Sequence, residues 1–207
     1  MNVPEFRLYA LGVRGEGPGA GDALRMRVIV GKAIETETPI FSAELEYLVF
    51  RPYWNVPYSI VTKEMLPKLR RDPGYLGRER LEIVTGGGRT TTAVNAGTLA
   101  GLASGAYGLR QRPGSANSLG LVKFIFPNEE NVYLHGTPAK GLFARQRRDF
   151  SHGCIRVEDP VALAEYALRS VPGWSRDRIE SAMNGGGTLQ VDLAQPIPVR
   201  IVYMTAM

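Results

Sequence analysis

Apolar and polar positions alternate most cleanly from Phe41 to Phe50. Phe41, Ala43, Leu45, Tyr47 and Val49 fall on one side, the period-two pattern of a half-buried strand. Leu24 to Val30 alternates and then turns wholly apolar, which predicts a strand paired with the one beginning at Phe6–Ala10, across a Gly-rich turn at Gly15–Gly21. Leu81–Val84 is a short strand. Leu121–Phe126 is a strongly apolar one, ended by Pro127-Asn128 and followed after a turn by Val132–Leu134. Ile197, Val199, Ile201 and Tyr203 alternate as a closing strand, with Pro198 marking an edge. Helical spacing is rarer. Thr62–Arg71 is one candidate, interrupted by Pro67. Asp159-Pro160 opens a second, with Val161, Ala164 and Leu168 on one face; Ser175 caps a third that runs to Met183 and stops at Asn184-Gly185. Gly86 to Ala106 is small, polar and glycine-rich and is expected to be mobile. No internal repeat is visible. The pattern predicts a mainly β sandwich or barrel with a few short helices.

At 207 residues the chain is long enough for one domain with a full core. No apolar run approaches the roughly 20 residues needed to span a bilayer, so no transmembrane segment is expected. Met1-Asn-Val-Pro-Glu5 has no basic region followed by an apolar stretch, so no signal peptide is expected here. The net charge of +5 and an Arg to Lys ratio of 20 to 5 favour bidentate carboxylate recognition over point-charge binding. The basic residues are scattered rather than tracked along one helix. A solvated surface or an anionic polymer therefore fits better than nucleic acid, and no nucleic-acid partner is expected. Arg145, Arg147 and Arg148 make Gly141–Phe150 either a solvated loop or a basic rim.

The chemistry concentrates between Val132 and Val157, which holds both histidines, His135 and His152, and the one cysteine, Cys154. A thiol nucleophile needs a base, and the two imidazoles fall on either side of a glycine-bearing turn around the thiol. Gly136 ends the strand that carries His135. Gly153, without a Cβ, lets a carbonyl approach the backbone, and the amides of Gly153 and Cys154 can then serve as an oxyanion hole. A helix starting at Pro160 would lie just beyond the cysteine and lower its pKa from about 8.5.

Other readings stay open. A lone cysteine is more often a small buried hydrophobe, and a single histidine a satisfied core residue. His135, His152 and Cys154 can also supply three ligands of a zinc site, with Asp149 or Glu158 as the fourth, although no recognised ligand spacing is present. A cysteine phosphatase would want Arg where Pro160 stands, and no phosphate-binding loop occurs.

The run His135-Gly136-Thr137, then 15 residues to Ser151-His152-Gly153-Cys154-Ile155-Arg156, resembles the signature of L,D-transpeptidase catalytic domains of the YkuD type. Tyr47–Ser59 and Arg110–Gly114 with Asn117 and Leu119-Gly120 resemble the larger periplasmic branch of that family, and the resemblance spans roughly residues 3–207. It implies one catalytic domain over 1–207 with a YkuD-like sandwich or barrel, in which an inserted subdomain, residues 61–109, caps the active site. It implies no cofactor and no metal. It implies Cys154 as nucleophile and His135 as base, the latter held through its far nitrogen by an acceptor such as the Gly136 carbonyl. Arg156 would orient a substrate carboxylate or brace the loop. His152 and Ser151 would support the loop, and Tyr133, Trp54 and Tyr53 would line the substrate. The implied partners are peptidoglycan stem peptides, joined by 3-3 cross-links, and carbapenem β-lactams that acylate the same cysteine. Transfer to water would make the protein an L,D-carboxypeptidase, and a catalytically silent relative would be a peptidoglycan-binding module. The family is exported, so the implied location is the periplasm or cell envelope and the chain is expected to be an excised catalytic domain.

Overall fold

A computed structural model describes residues 1–11, 24–33 and 36–204; the Gly15–Gly21 turn lies outside them. The strands among the described residues are β1 (Arg7–Ala10), β2 (Leu24–Gly31), β3 (Phe41–Phe50), β4 (Trp54–Asn55), β5 (Leu81–Val84), β6 (Thr90–Thr91), β7 (Gly108–Gln111), β8 (Val122–Ile125), β9 (Leu134–His135), β10 (Asp149–Ser151), β11 (Ile155–Val157) and β12 (Leu189–Ile201). The fold is mainly β with short helices, and the chain divides into two compact units, Met1–Arg51 with Leu119–Met207, and Pro52–Ser118.

The first unit is built on one sheet in the order β1-β2-β11-β9-β8-β3-β12, with β10 added in parallel to the end of β2. β9 and β11 are parallel and the other neighbours along that path antiparallel. The alternation in β3 holds through Leu45, with Ser42, Glu44 and Glu46 exposed. It gives way at Leu48, Val49 and Phe50, which are all buried. Phe50 is fully enclosed and stacks on Trp174 at 5.2 Å between ring centroids. The closing strand is longer than the sequence suggests and lies at the sheet edge. It tolerates Pro198 there, and its register with β3 shifts between Asp192 and Ile197. Two helices complete this core. Pro160–Leu168 is capped by Asp159, which accepts from the Ala162 amide at 2.9 Å, and buries Leu163, Ala164, Ala167 and Leu168. Arg176–Asn184 is capped by Ser175 and buries Ile179 and Met183.

The basic stretch before the cysteine is not uniformly a rim. Arg148 is buried and donates to the carbonyls of Phe6, Val28, Arg145 and Gln146. Arg147 stays exposed and pairs with Asp149, while the Arg145 guanidinium lies 5.5 Å from the Phe150 ring centroid.

The second unit has its own sheet, β4-β7-β5-β6, and its own core around Leu69, Leu76, Ile83, Leu102 and Leu109. The expected helix with its awkward proline starts earlier than Thr62. It runs as α-helix at Tyr58–Ile60, widens to a π turn at Val61–Met65 and returns to α at Leu66–Arg71. The widened turn sits just ahead of Pro67, whose ring crowds the carbonyl four residues back. Gly86–Ala106, expected to be mobile, forms a 3-10 turn, β6 and a helix at Ala96–Ser104. Asn95 and Thr98 close a reciprocal capping box on that helix, and Leu102 anchors it in the core. Among the described residues no helix is long and apolar enough to cross a membrane.

Phe50→Ala removes a fully buried, stacked ring and is expected to cost about 3–5 kcal/mol, read as a lower denaturant midpoint.

Candidate active site

The central strands of the first unit carry a row of side chains. β9 lies between β8 and β11, and the registers set Lys123 beside His135 and His135 beside Arg156. Cross-strand partners share a face of the sheet, so the imidazole has a cation as neighbour on each strand.

His135 is 4% exposed. Burial, with the Arg156 cation adding to it, pushes its pKa down to about 3 against a weaker upward pull from the main chain of Gly136 and Leu119. The ring is therefore neutral at physiological pH. Nδ1 lies 2.5 Å from the carbonyl oxygen of Gly136. A carbonyl only accepts, so Nδ1 carries the proton and Nε2 presents a lone pair. The acceptor named from the sequence is the one present. What holds that acceptor was missed: Gly120, at φ +66°, packs so closely that a Cβ there would lie 2.6 Å from the Gly136 carbonyl carbon and the Thr137 nitrogen. Gly136 in turn donates to the Val122 carbonyl at 3.0 Å.

The cysteine loop is tied down from two directions. Ser151 Oγ donates to the Cys154 carbonyl at 2.5 Å and accepts from the Gly153 amide at 3.2 Å. Thr38 Oγ1, buried, donates to the Gly153 carbonyl at 2.8 Å and accepts from the Gly31 amide at 2.9 Å. Thr36 Oγ1 donates to the Ser151 carbonyl at 3.0 Å. Gly153 has φ +111°, a conformation that a side chain would strain. Its amide, expected to face an oxyanion, is turned onto Ser151. Sequence reasoning missed Thr36 and Thr38, whose partners in the cysteine loop, Ser151 and Gly153, lie 115 positions away.

Cys154 is partly buried and its thiol donates weakly to the Asn131 carbonyl at 3.8 Å. Burial raises its pKa. Tyr133, whose main chain and hydroxyl lie beside the sulfur, opposes that, as do Arg156 and Lys123. The expected helix N-terminus is not beside the thiol, because β11 comes between Cys154 and the helix at Pro160. The resting pair is thus a thiol and a neutral imidazole rather than a preformed ion pair. Tyr133 touches both sides of the site. Its ring lies 5.8 Å from that of His135, and burial together with the adjacent sulfur raises its hydroxyl pKa well above the ordinary value.

The remaining candidates stand elsewhere. His152 is exposed. Arg156 is half-buried, with a buried Nε that has no hydrogen-bond partner. Tyr53 and Trp54 belong to the second unit. There Arg110 covers the Tyr53 ring at 4.4 Å, and Trp54 packs partly buried against that unit's core. The acids invoked for a zinc site are engaged otherwise, Glu158 with Arg27 and Asp149 with Arg147. Among the described residues no three His, Cys, Asp or Glu side chains gather as metal ligands.

A thiol on an ordered glycine loop just ahead of β11, and a neutral base tautomer on the adjoining β9, is an acyl-transfer layout. The family model for the L,D-transpeptidase catalytic domain, YkuD, matches residues 1–190. This chain belongs to the YkuD family. A Haemophilus influenzae protein described as "Putative L,D-transpeptidase" is 32% identical over all 207 residues. The chain spans 40% of that relative's length.

Two expectations follow for this YkuD domain. Gly120→Ala, forced into a positive φ and against the Gly136 peptide, is expected to cost about 2–4 kcal/mol by denaturation. Gly136→Ala is expected to cost less, since its added Cβ meets its nearest neighbours at 3.5 Å. Because His135 is buried neutral, the unfolded chain binds a proton between the ordinary value of 6.5 and about 3 that the folded one does not. Stability contributed by this residue is therefore present above pH 6.5 and lost as pH falls towards 3, and His135→Gln is expected to flatten that part of the stability–pH curve.

Proposed function

We propose that the chain is the catalytic part of a cysteine L,D-transpeptidase that joins peptidoglycan stem peptides through 3-3 cross-links, working in the periplasm. The observation that carries this reading is the His135 imidazole, fixed by Gly136 with Nε2 unprotonated, in the same strand row as the groups that act on Cys154. Membership of the YkuD family supplies the substrate class.

Sγ of Cys154 attacks the carbonyl carbon of the third, diamino-acid residue of a tetrapeptide stem while its proton passes to His135 Nε2. The carbon–sulfur bond forms and the carbonyl electron pair moves to oxygen, where the Cys154 amide is the available donor. Collapse of that oxyanion breaks the carbon–nitrogen bond. The proton on His135 goes to the leaving amine, and D-alanine departs. An amine on a neighbouring stem then attacks the thioester, gives its proton to His135 and releases the cysteine, which takes the proton back. Arg156, with its unpartnered Nε, is placed in this scheme to meet a substrate carboxylate or oxyanion. Carbapenems would acylate the same sulfur. Residues 61–109, with Tyr53 and Trp54 before them, are proposed on the family resemblance as the cap and substrate wall.

Mass analysis of tetrapeptide muropeptides after incubation with this protein and with Cys154→Ala tests the reading. Cross-linked dimers formed only by the unsubstituted protein are expected. Tripeptide alone would assign an L,D-carboxypeptidase, and no product together with no carbapenem adduct on Cys154 would leave a peptidoglycan-binding module.

A further inference from the structure

Lys123 is the charged residue of this site that the proposed chemistry has not used. It interrupts the apolar run of β8, is half-buried, and sits beside His135 in the strand register, across the imidazole from Arg156. Its ammonium lies 5.8 Å from the centroid of the Tyr133 ring, and Tyr133 lies beside the sulfur of Cys154. Neither Lys123 nor Arg156 has a carboxylate partner among the described residues, and the charge that bears on each is that of Cys154. Partly desolvated cations are costly unless a counter-charge meets them. Here two of them converge on one ionisable sulfur.

We propose that Lys123 is the second cation of the active site: with Arg156 it supplies the counter-charge that holds Cys154 Sγ as a thiolate once its proton has moved to His135. The inference rests on Cys154 being the nucleophile proposed above. The groups bearing on the sulfur are then Lys123 on β8, Tyr133 just ahead of β9, and Arg156 on β11, with the Asn131 carbonyl accepting from the thiol at rest. Both cations favour negative charge on the sulfur, and Arg156 alone of the two also bears on the His135 ring. A lysine retained only for packing would act through its aliphatic stem and its contact with the Tyr133 ring.

The test is alkylation of Cys154 across pH, using neutral iodoacetamide and anionic iodoacetate, in which the sulfur displaces iodide and no stem peptide is needed. Lys123→Met keeps the stem and removes the charge. It is expected to slow alkylation about 3- to 10-fold near neutral pH, to move the inflection to higher pH, and to slow iodoacetate more than iodoacetamide. Lys123→Arg is expected to restore both, and Lys123→Gln provides a second charge-free variant should the Met protein fold poorly. Unchanged pH profiles and an unchanged iodoacetate to iodoacetamide ratio in the charge-free variants would overturn the proposal. A Cys154 inert to both reagents in the unsubstituted protein would overturn the nucleophile reading, and this inference with it.

Discussion

The site depends on keeping one imidazole dry and uncharged between two cations. Water would restore the basicity of His135, and a misplaced ring would lose its tautomer, so both burial and the Gly136 carbonyl are required. The sheet satisfies these demands together. Three strands fix the row Lys123–His135–Arg156 by register, and the close passage of Gly120 fixes the peptide that orients the ring. A substitution that loosens the backbone here changes protonation as well as position.

Cys154 is held by a different logic. Its loop is tied by small hydroxyls, Thr36, Thr38 and Ser151, each satisfying a main-chain group of the turn. The threonines come from the segment after β2, so the loop's shape is set against a strand that also pairs with β10 and β11. One strand thus carries the register of the base's neighbour and the anchorage of the thiol.

Local chemistry made much of this legible. The His/Gly/Cys spacing carried the resemblance that the family match bears out, and β3 as far as Leu45 and the two capped C-terminal helices follow their apolar periodicity. What stayed hidden depends on partners distant in sequence. Lys123 looks like a flaw in an apolar strand until register puts it beside His135. Arg148 reads as one more surface charge, yet carbonyls from Phe6 and Val28 draw it inside. Cys154 was expected to gain acidity from a helix, but three strand residues intervene, and burial moves the thiol the other way. The helix at Ala96–Ser104 shows a missed local signal, because its Asn-x-x-Thr cap stands in plain sequence within a stretch dominated by glycine.

The discontinuity of the first unit bears on the order in which its sheet can close. Pro52–Ser118 is contiguous, whereas β3 pairs with β8 and, along most of its length, with β12, both of which follow that whole segment in sequence. A β3 that has yet to meet β12 presents an open edge, the arrangement that invites a second chain to pair there. Glu44 and Glu46, exposed on that strand, put charge beside the open edge, the kind of feature that discourages such pairing.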